Sequence, residues 1–218
     1  MTENIQTTIP IKIIVVGPMN VGKTSLVTRY VTGKIPGQTK TTKNASYVTK
    51  RKTVNGFNFE IRLWDTAGQE KYKSLTKLFT KDAKIAILVY SIDSEESFND
   101  LGTWLELVKS SNEDNLLLGI AANKSDLVSD KTISEERGRE YAEKIGAEWK
   151  STSALSENGG IEEFIDMLFK KYYDNYFSPN GMEPTNSQSL TISMEDSKVK
   201  GGCCGGEQSN DKKKTNKK

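Results

Sequence analysis

The run IKIIVV (residues 11–16) passes without a break into GPMNVGKT (17–24) and then into SLVTRYVTG (25–33). A fully apolar run of this length reads as a buried strand, and the amphipathic stretch after it reads as a helix. Between them lies the spacing G-x-x-x-x-G-K-[ST], in which backbone N–H groups at a helix N-terminus cradle an anion. A strand buried on both faces that feeds directly into a helix commits the chain to a layered α/β sheet. Within the loop, Gly17, Asn20, Val21, Gly22 and Ser25 are expected to line a phosphate site. Lys23 brings a point charge to the β/γ oxygens, and Thr24 can offer its hydroxyl to Mg²⁺.

The same alternation continues downstream. SYVTKRKTV (46–54) and FNFEIRLW (57–64) alternate polar with apolar residues around Asn55-Gly56, a strong hairpin signal. KIAILVY (84–90) and NLLLGIAA (115–122) are buried-strand runs, and EWKSTS (148–153) reads as a last short strand. Helices are expected over about 94–111, from Ser134 to a stop at Gly146, and through Ile161, Phe164, Ile165, Leu168, Phe169 and Tyr172. These elements predict an α/β fold: a six-stranded, mostly parallel sheet with one antiparallel strand and helices on both faces. After Phe177 the period is lost, and 178–218, rich in Ser, Asn, Gly and Pro, is expected to form a flexible tail.

Composition narrows the class. Among 218 residues a formal net charge of +2 argues against a nucleic-acid surface, and the lysines of 40–52 read as a solvated face. Both cysteines, Cys203 and Cys204, are neighbours in the tail and cannot staple the fold, which suggests a reducing compartment. The N-terminus carries no basic-then-apolar signal and no Gly at position 2, and no apolar run approaches membrane length. The expectation is a soluble cytosolic protein unless it is modified.

NKSD (123–126) follows the apolar run LLLGIAA, at the strand edge where open α/β sheets collect ligands. The carboxylate of Asp126 can accept hydrogen bonds from guanine N1–H and the exocyclic amine. Adenine would leave that carboxylate unpaired. Asn123 can bond the base or tie the loop, and the stem of Lys124 can cover the base's face. WDTAGQE (64–70) closes another strand. There Asp65 can hold Mg²⁺ directly or through water, Gly68 can approach a γ-phosphate, and Gln69 can orient an attacking water.

The order GPMNVGKT, WDTAGQE, NKSD, SAL resembles the small GTPases of the Ras superfamily, and most of all the Rab branch. The likeness spans roughly 10–177 and includes EKYKSLTKLFTKDA, LVYSIDSEESF and ANKSDL. It implies a P-loop GTPase domain over 10–177 with GTP/GDP and Mg²⁺ as ligands. It also implies slow hydrolysis without a GAP, and recruitment of effectors in vesicle traffic. Thr42 falls where the family places its switch threonine, reaching Mg²⁺ and γ-phosphate only in the triphosphate state. Thr42, Lys23 and Gln69 then carry the catalysis, and Thr24, Thr42 and Asp65 hold the metal. Ser153, Ala154 and Leu155 match the stretch that meets the guanine carbonyl. Exchange factor, GAP and effectors are expected on 34–47 and 66–80, with the protein a monomer at the cytosolic face of an intracellular membrane, endosomal among the options.

Departures from the family pattern are equally specific. Lys43-Asn44 follow the switch threonine in place of an apolar residue and glycine. Ile35 stands where an aromatic commonly stacks near the guanine, which predicts faster nucleotide loss. Met19 replaces a small residue beside Gln69 and is expected to slow hydrolysis. A GTP-holding scaffold with little turnover is therefore a second reading. In the tail, fourteen residues, five of them lysine, follow Cys203-Cys204. That position disfavours the family's usual double prenylation, so acylation supported by the lysines, or an unmodified end, stay open.

Overall fold

A computed structural model describes residues 8–37, 42, 45–66, 78–112 and 116–178. Six strands form one sheet: β1 Thr8–Val16, β2 Ser46–Val54, β3 Phe57–Asp65, β4 Ile85–Ser91, β5 Leu117–Asn123 and β6 Glu148–Ser151, in the order β2-β3-β1-β4-β5-β6. Only the β2–β3 pair is antiparallel, closed by Asn55 and Gly56 at φ 48° and 84°. Five helices are described: α1 Lys23–Thr32, α2 Glu95–Asn99, α3 Leu101–Lys109, α4 Glu135–Ile145 and α5 Ile161–Tyr176.

The alternation of buried faces along β1 sorts the helices. Ile11, Ile13 and Val15 join α1 (Leu26, Val27, Tyr30) and α5 (Phe164, Leu168, Phe169) in one core. Ile14 and Val16 face the opposite core, with Phe98, Leu101, Trp104, Val108 and Ala142 from α2, α3 and α4. Both faces of β4 are fully covered, which is why its sequence reads as an unbroken apolar run. Phe59 meets Phe169 edge-on at 5.2 Å, an aromatic contact of about 0.5–1.5 kcal/mol beyond its buried area.

Three boundaries differ from the sequence reading, each for a local reason. β1 begins at Thr8, because parallel pairing from Thr8↔Asn58 onward extends it along β3 beyond its apolar stretch. The helix expected over 94–111 is two. Ser94 caps α2 by accepting from the Ser97 N–H, and Asp100 interrupts the run, its side chain accepting from Trp104 Nε1 at 2.7 Å. β6 stops at Ser151, since the next backbone groups leave the ladder: Ser125 N–H donates to Thr152 O and Ser153 N–H donates to Gly159 O. Ser134 and Gly146 cap α4 as expected. Residues 179–218, with Cys203 and Cys204, lie outside the described residues, as do Gly68 and Gln69. Among the described residues no helix is long and apolar enough to cross a membrane.

Candidate nucleotide site

Every motif singled out in the sequence that the structure describes sits at the C-terminal edge of the sheet. β1 leads into Gly17, β3 ends in Asp65, β5 ends in Asn123, and β6 leads into Thr152 and Ser153. The turn after β1 is possible because of two glycines. A Cβ on Gly17 would lie 2.3 Å from the Val89 carbonyl oxygen, and one on Gly22 would lie 2.4 Å from Asn123 Nδ2. Asn20 also adopts a positive φ, 65°, which a side chain tolerates only under constraint. Lys23, buried at the start of α1, donates to Gly17 O at 2.8 Å and to Pro18 O at 2.7 Å, so its ammonium lies inside the loop.

Thr24, Thr42 and Asp65 come together although they are distant in sequence. The two threonine hydroxyls are 2.6 Å apart, and Asp65 Oδ2 accepts from Thr24 at 2.7 Å and from Thr42 at 3.4 Å. Asp65 Oδ1 is buried with no hydrogen-bond partner. Burial pushes the Asp65 carboxyl up, against the pull of the Thr24 hydroxyl, the Lys23 ammonium and the Thr42 hydroxyl. A buried, unsatisfied carboxylate oxygen beside two hydroxyls is an all-oxygen donor set of the kind Mg²⁺ takes. The residues present therefore fit the cation, and Thr24, Thr42 and Asp65 are the ones that would hold it.

The other end of the site is built from β5 and β6. The Asn123 amide donates to Val21 O at 2.6 Å, and Thr152 Oγ1 donates to Asn123 Oδ1 at 3.4 Å, so this side chain ties the phosphate loop to both strand ends. Asp126 accepts from the Ser153 hydroxyl. That same hydroxyl accepts from the N–H groups of Leu155 and Ser156, each at 3.1 Å. Lys124 has φ 62°, and its ammonium meets Asp93 at 3.5 Å. A cavity of about 590 Å³ joins Asn20, Gly22 and Ser25 to Asn123, Lys124, Asp126, Ala154 and Leu155, with Pro36 and Gly37 completing its wall. Ile35 and Met19 are both about half exposed, at 48% and 44%.

Pro36, Gly37, Thr152 and Asp93 were not anticipated. The signal for Asp93 was the general one that ligands gather beyond strand ends, which applies to the residues after KIAILVY as much as to NKSD.

A phosphate loop at the first strand end, an acidic group at the third and a base-sized cavity against the fifth define a P-loop nucleotide-binding protein. The Ras family model matches residues 12–174. The chain is similar to the Ras-related protein Rab-21 of Geodia cydonium, 40% identical over 162 residues covering 74% of this chain and 71% of the relative. It is 34% identical to human Rab-21 over 203 residues (88% and 90%), and 30% identical to RABA2d of Arabidopsis thaliana over 202 residues (88% and 93%). The chain belongs to the Ras family, as a Rab-like small GTPase of the Ras superfamily.

Proposed function

We propose that this protein is a guanine-nucleotide switch that hydrolyses GTP and, in its triphosphate state, recruits effectors in intracellular membrane traffic. The observation that carries the reading is the meeting of Thr42 with Thr24 and Asp65. Thr42 lies in the connection between α1 and β2, and its hydroxyl sits on the candidate metal holders. A γ-phosphate at this point gives that connection a reason to be held, and hydrolysis removes it. Thr24, Thr42 and Asp65 would hold Mg²⁺, which when bound would supply charge neutralisation at the phosphates. Lys23 holds the phosphates from inside the loop, Asp126 selects guanine, Gln69 orients the attacking water, and Ser153, Ala154 and Leu155 border the base. Segments 34–47 and 66–80 meet the exchange factor, the GAP and effectors. The Rab names of the relatives support a trafficking role. Cys203 and Cys204, with the lysines after them, are the proposed attachment to the cytosolic face of a membrane.

The test is nucleotide content and turnover of the purified full chain, with limited proteolysis across 34–47. The expected result is bound guanine nucleotide, Mg²⁺-dependent hydrolysis, and protection of that segment by a non-hydrolysable GTP analogue but not by GDP. Bound ATP, or equal protection by both nucleotides, overturns the reading.

One observation favours the GTP-holding scaffold as a second reading: Met19, half exposed on the phosphate loop. If it crowds the attacking water, Met19→Ser accelerates single-turnover hydrolysis several-fold, on the order of 1 kcal/mol of barrier. An unchanged rate, with or without an active GAP, removes Met19 as the cause.

A further inference from the structure

The described residues hold an ion pair that the family motifs do not require, on the rim of the base end. Lys124 Nζ lies 3.5 Å from Asp93 Oδ2, with the two side chains 32% and 25% exposed. Surface pairs of this kind contribute about 0–1 kcal/mol when both partners are loosely held. Here neither is.

Asp93 lies two residues past the end of β4, and its other oxygen, Oδ1, accepts from the Ser91 hydroxyl. Ser91 is fully buried, stands opposite Asn123 in the β4–β5 register, and donates its N–H to Ser97 Oγ at 3.0 Å. Ile92 N–H donates to Asn123 O at 3.0 Å, and Ile92 O in turn accepts from Thr132 and Ile133 N–H. On the other side Lys124 is held at φ 62°, and its carbonyl accepts from Leu127 N–H at 2.9 Å. Burial would raise the Asp93 carboxyl, but the Ser91 hydroxyl and the Lys124 ammonium outweigh it and hold it below the usual range. Both charges thus project from backbone already fixed to the end of β5, and little side-chain freedom remains to be lost on pairing.

Lys124 and Asp126 both line the 590 Å³ cavity. We infer that Asp93 is a positioning residue for base binding: it anchors the Lys124 ammonium at the rim, so that the lysine stem forms a fixed wall for the flat face of the guanine. Asp93 touches no part of the ligand and acts through Lys124. The inference rests on the guanine-nucleotide reading above. It separates two duties within the base end. Asp126 reads the polar edge, whereas the Asp93–Lys124 pair holds a face and is blind to which purine is bound.

The test is release of fluorescent GDP from the full chain, comparing wild type, Asp93→Asn, Lys124→Met and the double variant. Asp93→Asn is expected to speed release about 3- to 10-fold, and the double variant to be no faster than Lys124→Met alone, since contacting residues acting as a unit are not additive. The ratio of GDP to inosine diphosphate release rates stays at the wild-type value in Asp93→Asn, because the 2-amino group is read by Asp126. Ser91→Ala loosens Asp93 while leaving its charge in place. It gives a smaller acceleration, about 2-fold, and serves if Asp93→Asn folds poorly. Release at the wild-type rate in both Asp93→Asn and Ser91→Ala overturns the inference, as does additivity in the double variant or a shifted GDP to inosine diphosphate ratio. Each of those results leaves the guanine reading intact. Failure of wild-type protein to hold fluorescent GDP overturns the guanine reading, and this inference with it.

Discussion

The two ends of the cavity are built on different terms. At the base end the polar groups already answer one another. Ser153 bridges Asp126 to the Leu155 and Ser156 N–H groups, Asn123 is tied to Val21 and Thr152, and Lys124 meets Asp93. At the metal end a carboxylate oxygen of Asp65 is buried without a partner, and burial pushes that carboxyl up. The contrast teaches where ligand dependence resides. Selectivity for a base can be stored in folded strand ends, whereas the Asp65 end carries a buried polarity that a bound cation would relieve.

The strongest way to break this comparison is Asp126→Asn. If the base end is pre-built, guanosine diphosphate binding falls by about 10²-fold or more, because a carboxylate accepting two hydrogen bonds is replaced by a group presenting a donor. Xanthosine diphosphate, with an oxygen at C2, should gain. Competition binding with both nucleotides decides it, and equal losses would mean that the pocket does not read the edge of the base through this side chain.

Next comes Asn123→Ala, which attacks the link between the ends. The residue is 1% exposed, and its loss strands the Val21 carbonyl and the Thr152 hydroxyl. A cost of about 1–3 kcal/mol in denaturant unfolding is expected. Nucleotide release should also lose some of its Mg²⁺ dependence, although Asn123 touches none of the metal holders. Weakened binding with the Mg²⁺ dependence intact would show the two ends to be separable.

The smallest effect, and the sharpest in sign, belongs to Asp65→Asn. A carboxyl whose folded-state pKa is raised favours folding while it carries its proton. That contribution is complete below the ordinary aspartate range and is lost as pH rises through the higher folded value. At pH 7 in EDTA the ionised Asp65 is therefore a burden, and Asp65→Asn should unfold no earlier than wild type. Adding Mg²⁺ with GDP should raise the wild-type melting temperature by several degrees and the variant's by much less. A variant that melts well below wild type in EDTA would contradict the account of the metal end.

Much of the fold was legible because its signals are local. β4 reads as a strand from its own apolar run, and α4 from Ser134 and Gly146. What escaped depends on partners. β1 gains its first residues from pairing with β3. At the site, GPMNVGKT and NKSD announce themselves by spacing, and the place of Thr42 came from family resemblance. Asp93 sits beyond a strand end, where ligands gather, but its pairing with Lys124 was not legible, because the two are brought near only by the order that sets β4 beside β5. Gly68 and Gln69 lie outside the described residues, so their part in the site rests on the sequence alone.

Among the described residues strand β2 stands at the rim of the sheet and pairs on one side only. Its outer row of N–H and C=O groups is a template to which an extended segment of another molecule can add. Three consecutive cations, Lys50, Arg51 and Lys52, occupy the middle of that rim. Two fold back onto Glu162 at 2.7 Å and Asp166 at 2.8 Å of α5, while Arg51 stays exposed. Stacking two such rims edge to edge would bring like charges together, a guard against self-association that rests mainly on Arg51, since Lys50 and Lys52 are already paired. The guard is electrostatic and weakens as salt shortens the screening length to about 10 Å at 0.1 M.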